Sequence, residues 1–135
     1  MSNLFNSGEF ILHSGAKSNF KLDCDALTDE DIESIATLIH KNFRFRRVVG
    51  IPRGGLRLEK ALKKYEEKTL HLPVLIVDDV LTTGLGMEEK KYEIQREHYE
   101  DEEKRPCQGV VLFSRGPCPV WVSSIFSLNP CFYSA

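Results

Sequence analysis

The chain has 135 residues, enough for one domain around one core, with 41% hydrophobic and 28% charged residues and a formal net charge of −2. That balance describes a globular chain without the basic field that would recommend nucleic acid as a partner, and the short cluster Arg44, Arg46, Arg47 reads as a solvated turn. No apolar run approaches the ~20 residues of a membrane span, and MSNLFNSGEF lacks the basic-then-apolar order of a signal peptide, so no membrane and a cytoplasmic location are expected.

In chain order, Phe10 to Leu12 and Phe20 to Leu22 are predicted as short strands joined by a turn at Ser14-Gly15-Ala16. Thr28 is predicted to cap a helix, with Asp29, Glu30 and Asp31 suited to the positive end of its dipole. Ile32, Ile35, Ala36 and Ile39 recur at helical spacing and predict its buried stripe. Val48, Val49 and Ile51 form an apolar run ending in Pro52-Arg53-Gly54-Gly55. A helix with Leu58, Ala61, Leu62 and Tyr65 on one face should follow.

Leu72 to Val77 is a continuous apolar run, the pattern of a strand covered on both faces in a parallel sheet. It is expected to end at Asp78-Asp79 and a Thr-Gly turn. Residues from Met87 to Lys104 read as a solvated helix, Gly109 to Phe113 as a strand stopped by Gly116-Pro117, and Val120 to Leu128 as a last strand. Strand, glycine turn and helix thus occur twice before a further strand. The pattern is βαβαβ: an α/β fold, a parallel sheet flanked by helices, with a small N-terminal antiparallel strand pair, all in a single domain over 1–135.

The four cysteines, Cys24, Cys107, Cys118 and Cys131, form no CxxC pair, and no His-x-x-x-His stands near them. Free thiols in a reducing compartment are therefore expected over a zinc site. The chemistry is expected after strand 72–77, because ligands of open α/β sheets bind beyond the carboxyl ends of the strands. Asp78 and Asp79 are followed by Thr82, Thr83, Gly84 and Gly86 just before a helix. Helix N-termini preceded by glycines present backbone N–H groups to phosphate, and the threonine hydroxyls add donors. Carboxylates repel phosphate, so they should face ribose hydroxyls or a magnesium ion. Together these residues describe a site for a sugar phosphate. A phosphatase or response-regulator-like domain also carries Asp-Asp after a strand, but lacks a reason for the Thr-Thr-Gly loop.

The string Val74-Leu75-Ile76-Val77-Asp78-Asp79-Val80-Leu81-Thr82-Thr83-Gly84 resembles the motif by which type I phosphoribosyltransferases bind 5-phosphoribosyl-1-pyrophosphate (PRPP). Gly8 to Ser18 resembles the N-terminal region of the orotate phosphoribosyltransferases, and Gly50-Ile51-Pro52-Arg53-Gly54-Gly55 resembles their pyrophosphate loop. The chain is also similar to small phage-type phosphoribosyltransferase-like proteins. The resemblance implies that Asp78 and Asp79 contact the ribose 2- and 3-hydroxyls and hold Mg2+ indirectly, through those hydroxyls or water. Thr82, Thr83, Gly84, Leu85 and Gly86, with Leu81, would wrap the 5-phosphate. Arg53, with Gly54 and Gly55, would meet pyrophosphate, a reading that glycine's small size and the arginine's fork of donors support independently. Arg115, His13 and Lys17 would lie at the base, although Arg115 reads equally as a surface cation. For Trp121, core packing is expected over stacking on a base.

The implied function is transfer of the phosphoribosyl group from PRPP to a nitrogenous base in nucleotide metabolism or salvage, by a homodimer in the cytoplasm of a bacterium or of a phage-infected host. The alternative is a non-catalytic module that binds PRPP or a nucleotide. Two departures from the orotate enzymes bear on the choice. Residues 56–73 have room for one helix and a turn, and none for an additional strand and mobile catalytic loop. His13 stands where those enzymes carry a lysine for the orotate carboxylate, and a neutral imidazole binds that group less well.

Overall fold

The computed structural model describes residues 3–11, 17–69, 71–97 and 106–127. Its first two strands, β1 (Phe5–Ile11) and β2 (Lys17–Leu22), form the expected antiparallel pair, with a bulge between Ser7 and Phe10. β1 begins at Phe5 rather than Phe10. Phe5 pairs with Leu22 and sets its ring edge-on against Phe113 at 6.3 Å, an anchor that alternation within the segment does not reveal. The turn expected at 14–16, together with His13, lies outside the described residues.

Helix α1 (Asp29–Asn42) starts where Thr28 caps it. The Thr28 hydroxyl accepts the Asp31 N–H at 3.1 Å, and the Asp31 carboxylate accepts the Thr28 N–H at 2.9 Å, a reciprocal capping box. Ile32, Ala36 and Ile39 are buried as the spacing required, and Ile35 is packed beside them.

The main sheet contains β3 (Arg47–Gly50), β4 (Val74–Leu81), β5 (Cys107–Ser114) and β6 (Val122–Ser127), hydrogen-bonded in that order and all parallel. Alternate β4 residues serve two cores. Leu75 and Val77 join Ile39, Val48, Leu58, Leu62, Val110 and Leu112 on one face. Val74 and Ile76 join Met87, Ile94, Val111 and Val122 on the other. This is why the run carries no polar alternation: from Val74 to Val77 each side chain is buried, at about 1.5–3 kcal/mol apiece.

Further boundaries differ from expectation. β4 runs on through Leu81, because its ladder with β5 continues through the pairs Asp78–Val111, Val80–Phe113 and Leu81–Ser114. The two aspartates therefore lie within the strand and not beyond it. Helix α2 (Leu56–Leu62) stops before Tyr65, which sits in a 3-10 turn and stacks on His40 at 4.0 Å. The chain is drawn off the helix axis there: the Glu67 N–H bonds the Phe45 carbonyl, and the Glu66 carboxylate accepts the Val48 N–H at 2.9 Å. Helix α3 (Leu85–Glu97) begins ahead of Met87, since the Glu88 N–H already bonds the Gly84 carbonyl. Its expected continuation over 98–104 lies outside the described residues.

β6 begins at Val122, not Val120, because the Val122 N–H closes a turn on the Pro119 carbonyl. Leu128, expected to end this strand, lies outside the described residues. The parallel crossing from β5 to β6 uses only the segment 115–121 and no helix. Trp121 holds it. Its carbonyl accepts the Gly109 N–H, its ring nitrogen donates to the Glu88 carboxylate at 2.7 Å, and the Lys91 ammonium stands 4.7 Å over its ring. Gly109 has to lack a side chain, since a Cβ would come within 2.7 Å of the Met87 methyl and 2.9 Å of the indole. Trp121 thus packs against α3, in line with the expected packing role.

Candidate functional site

A cleft of about 680 Å3 opens at the carboxyl end of the sheet. Its floor is β4. Asp78 and Asp79 are half-buried there, each tied to the chain that follows: the Asp79 N–H donates to Asp78 Oδ1 at 2.8 Å, and the Val80 N–H donates to Asp79 Oδ1 at 2.7 Å. These bonds fix two carboxylates side by side. Burial, and then the neighbouring Asp79 charge, push the Asp78 carboxyl up to about 7.

On one side lies the turn from β3 into α2. The Ile51 N–H bonds the Val77 carbonyl at 2.9 Å, and the Gly55 N–H bonds the Ile51 carbonyl at 2.8 Å, which binds the turn to β4. The Pro52–Arg53 peptide is cis. Its glycines are contact points. A Cβ on Gly54 would collide with the Asp79 carboxylate, and one on Gly55 with the Val77 carbonyl and, at 2.6 Å, the Ile51 nitrogen. Gly54 and the exposed Arg53 face the cleft, whereas Gly55 is buried behind them.

Beyond the acids, the turn into α3 is open. Thr82 lines the cleft, Thr83 is exposed, and the Thr83 hydroxyl accepts the Leu85 N–H at 3.4 Å. Gly84 has φ +84°, a left-handed conformation that favours glycine. A Cβ on Gly86 would meet nothing nearer than Ile51 at 4.0 Å. Leu85 is exposed on the same turn. The helical ladder starts at the Glu88 N–H, so the N–H groups of the first turn precede it, and of these the Leu85 N–H is met by the Thr83 hydroxyl. Leu81 differs from its neighbours: its side chain is buried in the core, and its carbonyl accepts the Arg115 N–H at 2.9 Å.

The remaining wall was not legible in the sequence. Leu22 at the end of β2 and Asp23, Cys24 and Asp25 after it face the cleft together with Ile11 of β1. The segment is pinned from α2: the Arg57 guanidinium donates to the Leu27 carbonyl at 2.8 Å, the Cys24 carbonyl at 3.4 Å and the Asp29 carboxylate at 3.2 Å. Burial first, and then Asp79, Asp23, Asp25 and Asp78, push the Cys24 thiol up to about 12. Such a thiol stays protonated and is no nucleophile. In the sequence, Asp23 to Asp25 reads only as polar chain before a helix cap; no local signal places it against Asp79.

Of the residues predicted for the site, Asp78, Asp79, Arg53, Gly54, Thr82 and Arg115 line one cleft. Arg115, which read equally as a surface cation, is partly buried there, and that burial lowers its pKa. Thr83, Gly84, Leu85 and Gly86 form the adjoining turn, Gly55 is buried behind Arg53 and Gly54, and the Leu81 side chain is buried in the core. Lys17 pairs through its backbone with Ile11. Among the described residues, no three His, Cys, Asp or Glu side chains group as a metal cage. The adjacent pair Asp78–Asp79 fits a hard divalent cation that keeps its waters and takes its other oxygens from a ligand.

Comparison with protein-family models finds no match, and comparison with curated proteins finds none. Solved structures match over most of the chain. Orotate phosphoribosyltransferase from Aeropyrum pernix aligns with TM-score 0.68 and 23% identity, covering 93% of this chain and 88% of that one. The Mycobacterium tuberculosis orotate phosphoribosyltransferase, in complex with inorganic phosphate, aligns with TM-score 0.63 and 15% identity over 90% and 87%. A phosphoribosyltransferase from Corynebacterium diphtheriae aligns with TM-score 0.58 and 13% identity over 83% and 84%.

Proposed function

From the type I phosphoribosyltransferase fold that the chain shares with these structures, we propose that it binds PRPP and transfers its phosphoribosyl group to a nitrogenous base. One observation carries the reading. The carboxylates of Asp78 and Asp79 stand between two glycine turns in a single cleft, one turn bearing Arg53 and the other bearing Thr82 and Thr83. Each part suits one part of the ligand. The acids accept hydrogen bonds from the ribose hydroxyls. The open turn before α3 receives the 5-phosphate, and Arg53 meets pyrophosphate with a charge-assisted fork. Magnesium, held through water and ligand oxygens at Asp78 and Asp79, would neutralise pyrophosphate charge. The cleft has the size of a small-molecule site.

In the transfer, the bond from the sugar C1 to pyrophosphate breaks and a base nitrogen bonds to C1. The chain's residues hold the sugar and stabilise the charge leaving on pyrophosphate. A second reading, a module that binds PRPP or a nucleotide without turnover, is favoured by segment 56–73. Its described residues hold α2 and a 3-10 turn and no strand, and none of them lines the cleft, where a cover would exclude water. A second copy of the chain would supply such cover in a homodimer.

The test is calorimetry with PRPP and Mg2+, followed by pyrophosphate release with orotate, uracil, adenine, guanine, hypoxanthine and nicotinate. Binding with release supports the enzyme, and binding without release supports the module. No heat from PRPP, ribose 5-phosphate or nucleoside monophosphates removes both.

A further inference from the structure

We propose that Asp23 and Asp25 form an acceptor-selecting wall, favouring a base that turns amino or ring N–H donors toward them over a base that carries a carboxylate. This rests on the reading of the cleft as a phosphoribosyl site. With β4 and the two glycine turns assigned to the sugar, its phosphate and pyrophosphate, the wall left for the base is Ile11 and Leu22 through Asp25, with Arg115 at the end of β5.

Ionised carboxylates only accept hydrogen bonds, so the ligand edge they face must donate. Asp23 spends one oxygen on the Asp25 N–H at 3.2 Å, and the other remains for a ligand. Asp25 is exposed at the rim. Among the described residues no guanidinium is paired with either acid: Arg57 spends its donors on the Cys24 and Leu27 carbonyls and on Asp29, outside the cleft. Among the described residues, Asp23, Asp25, Asp78 and Asp79 thus line the cleft with Arg53 and Arg115 as the cations, and Arg53 stands on the glycine-turn side. Arg57 also fixes the position of the wall. It lies on α2 directly after the glycine turn, so the acids are held at a set distance from the sugar subsite. Arg57 is a positioning residue in this scheme.

Two nucleotides that share ribose 5-phosphate and differ in the base isolate the effect. Calorimetry should show adenosine 5′-monophosphate binding more tightly than orotidine 5′-monophosphate. Asp23→Asn with Asp25→Asn should shrink that ratio about fivefold or more, the factor for one charge at about 4 Å in a watery dielectric. Asparagine keeps the oxygen that accepts the Asp25 N–H, and Asp25→Asn alone, at an exposed position, reads the effect if the double variant melts early. Arg57→Ala should lower the ratio while ribose 5-phosphate affinity stays constant, and Glu30→Gln on the exposed face of α1 should change neither. An unchanged ratio in the aspartate variants overturns the proposal. So does a wild type that binds the orotate nucleotide at least as tightly. If neither nucleotide nor ribose 5-phosphate binds, the phosphoribosyl reading itself falls, and this inference with it.

Discussion

The two glycine turns at the carboxyl end of the sheet look alike in sequence and behave differently in the fold. Both follow a parallel strand and open a helix. In the turn from β3 to α2, glycine is required by its neighbours: side chains there would strike the Asp79 carboxylate and the Val77 and Ile51 backbone. In the turn from β4 to α3, Gly84 is required by its own φ of +84°, and Gly86 by no neighbour among the described residues, since its open side meets only Ile51 at 4.0 Å. A glycine demanded by the protein's own packing reports on the fold. A glycine with open space at a helix start leaves room for a ligand.

The largest effect should separate the turns directly. Gly55→Ala puts a methyl against two backbone atoms that cannot swing aside and should cost 3 kcal/mol or more, about the upper end of overpacking penalties, read by thermal or urea denaturation. A variant as stable as wild type would erase the distinction.

Next in size is the carboxylate pair that lies between the turns. The folded Asp78 pKa, about 7, is above its ordinary 3.8, so the folded state holds a proton that the unfolded state releases. Stability should therefore fall as pH rises from about 4 to about 7, and the full cost should persist above that window. Asp78→Asn keeps an oxygen for the Asp79 N–H. It should stabilise the chain by about 2 kcal/mol at pH 8, have little effect at pH 4, and weaken PRPP binding. A melting curve that drops at pH 8 would mark the acids as structural.

Arg53→Ala should leave the melting temperature near that of wild type, because the side chain is exposed on the rim. It should weaken PRPP about ten- to hundredfold more than ribose 5-phosphate, which lacks pyrophosphate. Equal losses, measured by calorimetry, would move Arg53 away from pyrophosphate.

A small gain in stability is expected at Gly86. Gly86→Ala in the first turn of α3 should stabilise by up to about 1 kcal/mol while reducing ribose 5-phosphate affinity. Unchanged affinity would show that the open space beside Gly86 faces no ligand.

The sequence by itself determined what neighbours along the chain decide. The apolar run of β4 read as a strand with two buried faces, Thr28 as a cap, and Asp78-Asp79 followed by Thr82-Thr83-Gly84 as acids and a glycine turn before a helix. Each depends on contacts within a few residues, so each left a local pattern. The end of β4 was misjudged because Asp78 and Asp79 are poor strand formers in isolation, whereas the β5 ladder carries the strand to Leu81. The wall of Asp23, Cys24 and Asp25, the collision that makes Gly54 necessary beside Asp79, and the helix-free crossing clamped by Trp121 were settled only by tertiary structure. Arg57 reads locally as one more solvated cation of α2, and its role exists only because packing brings the Cys24 and Leu27 carbonyls to its donors. Such groups meet when the two cores close on the sheet, and nothing within a few residues of any of them encodes the meeting.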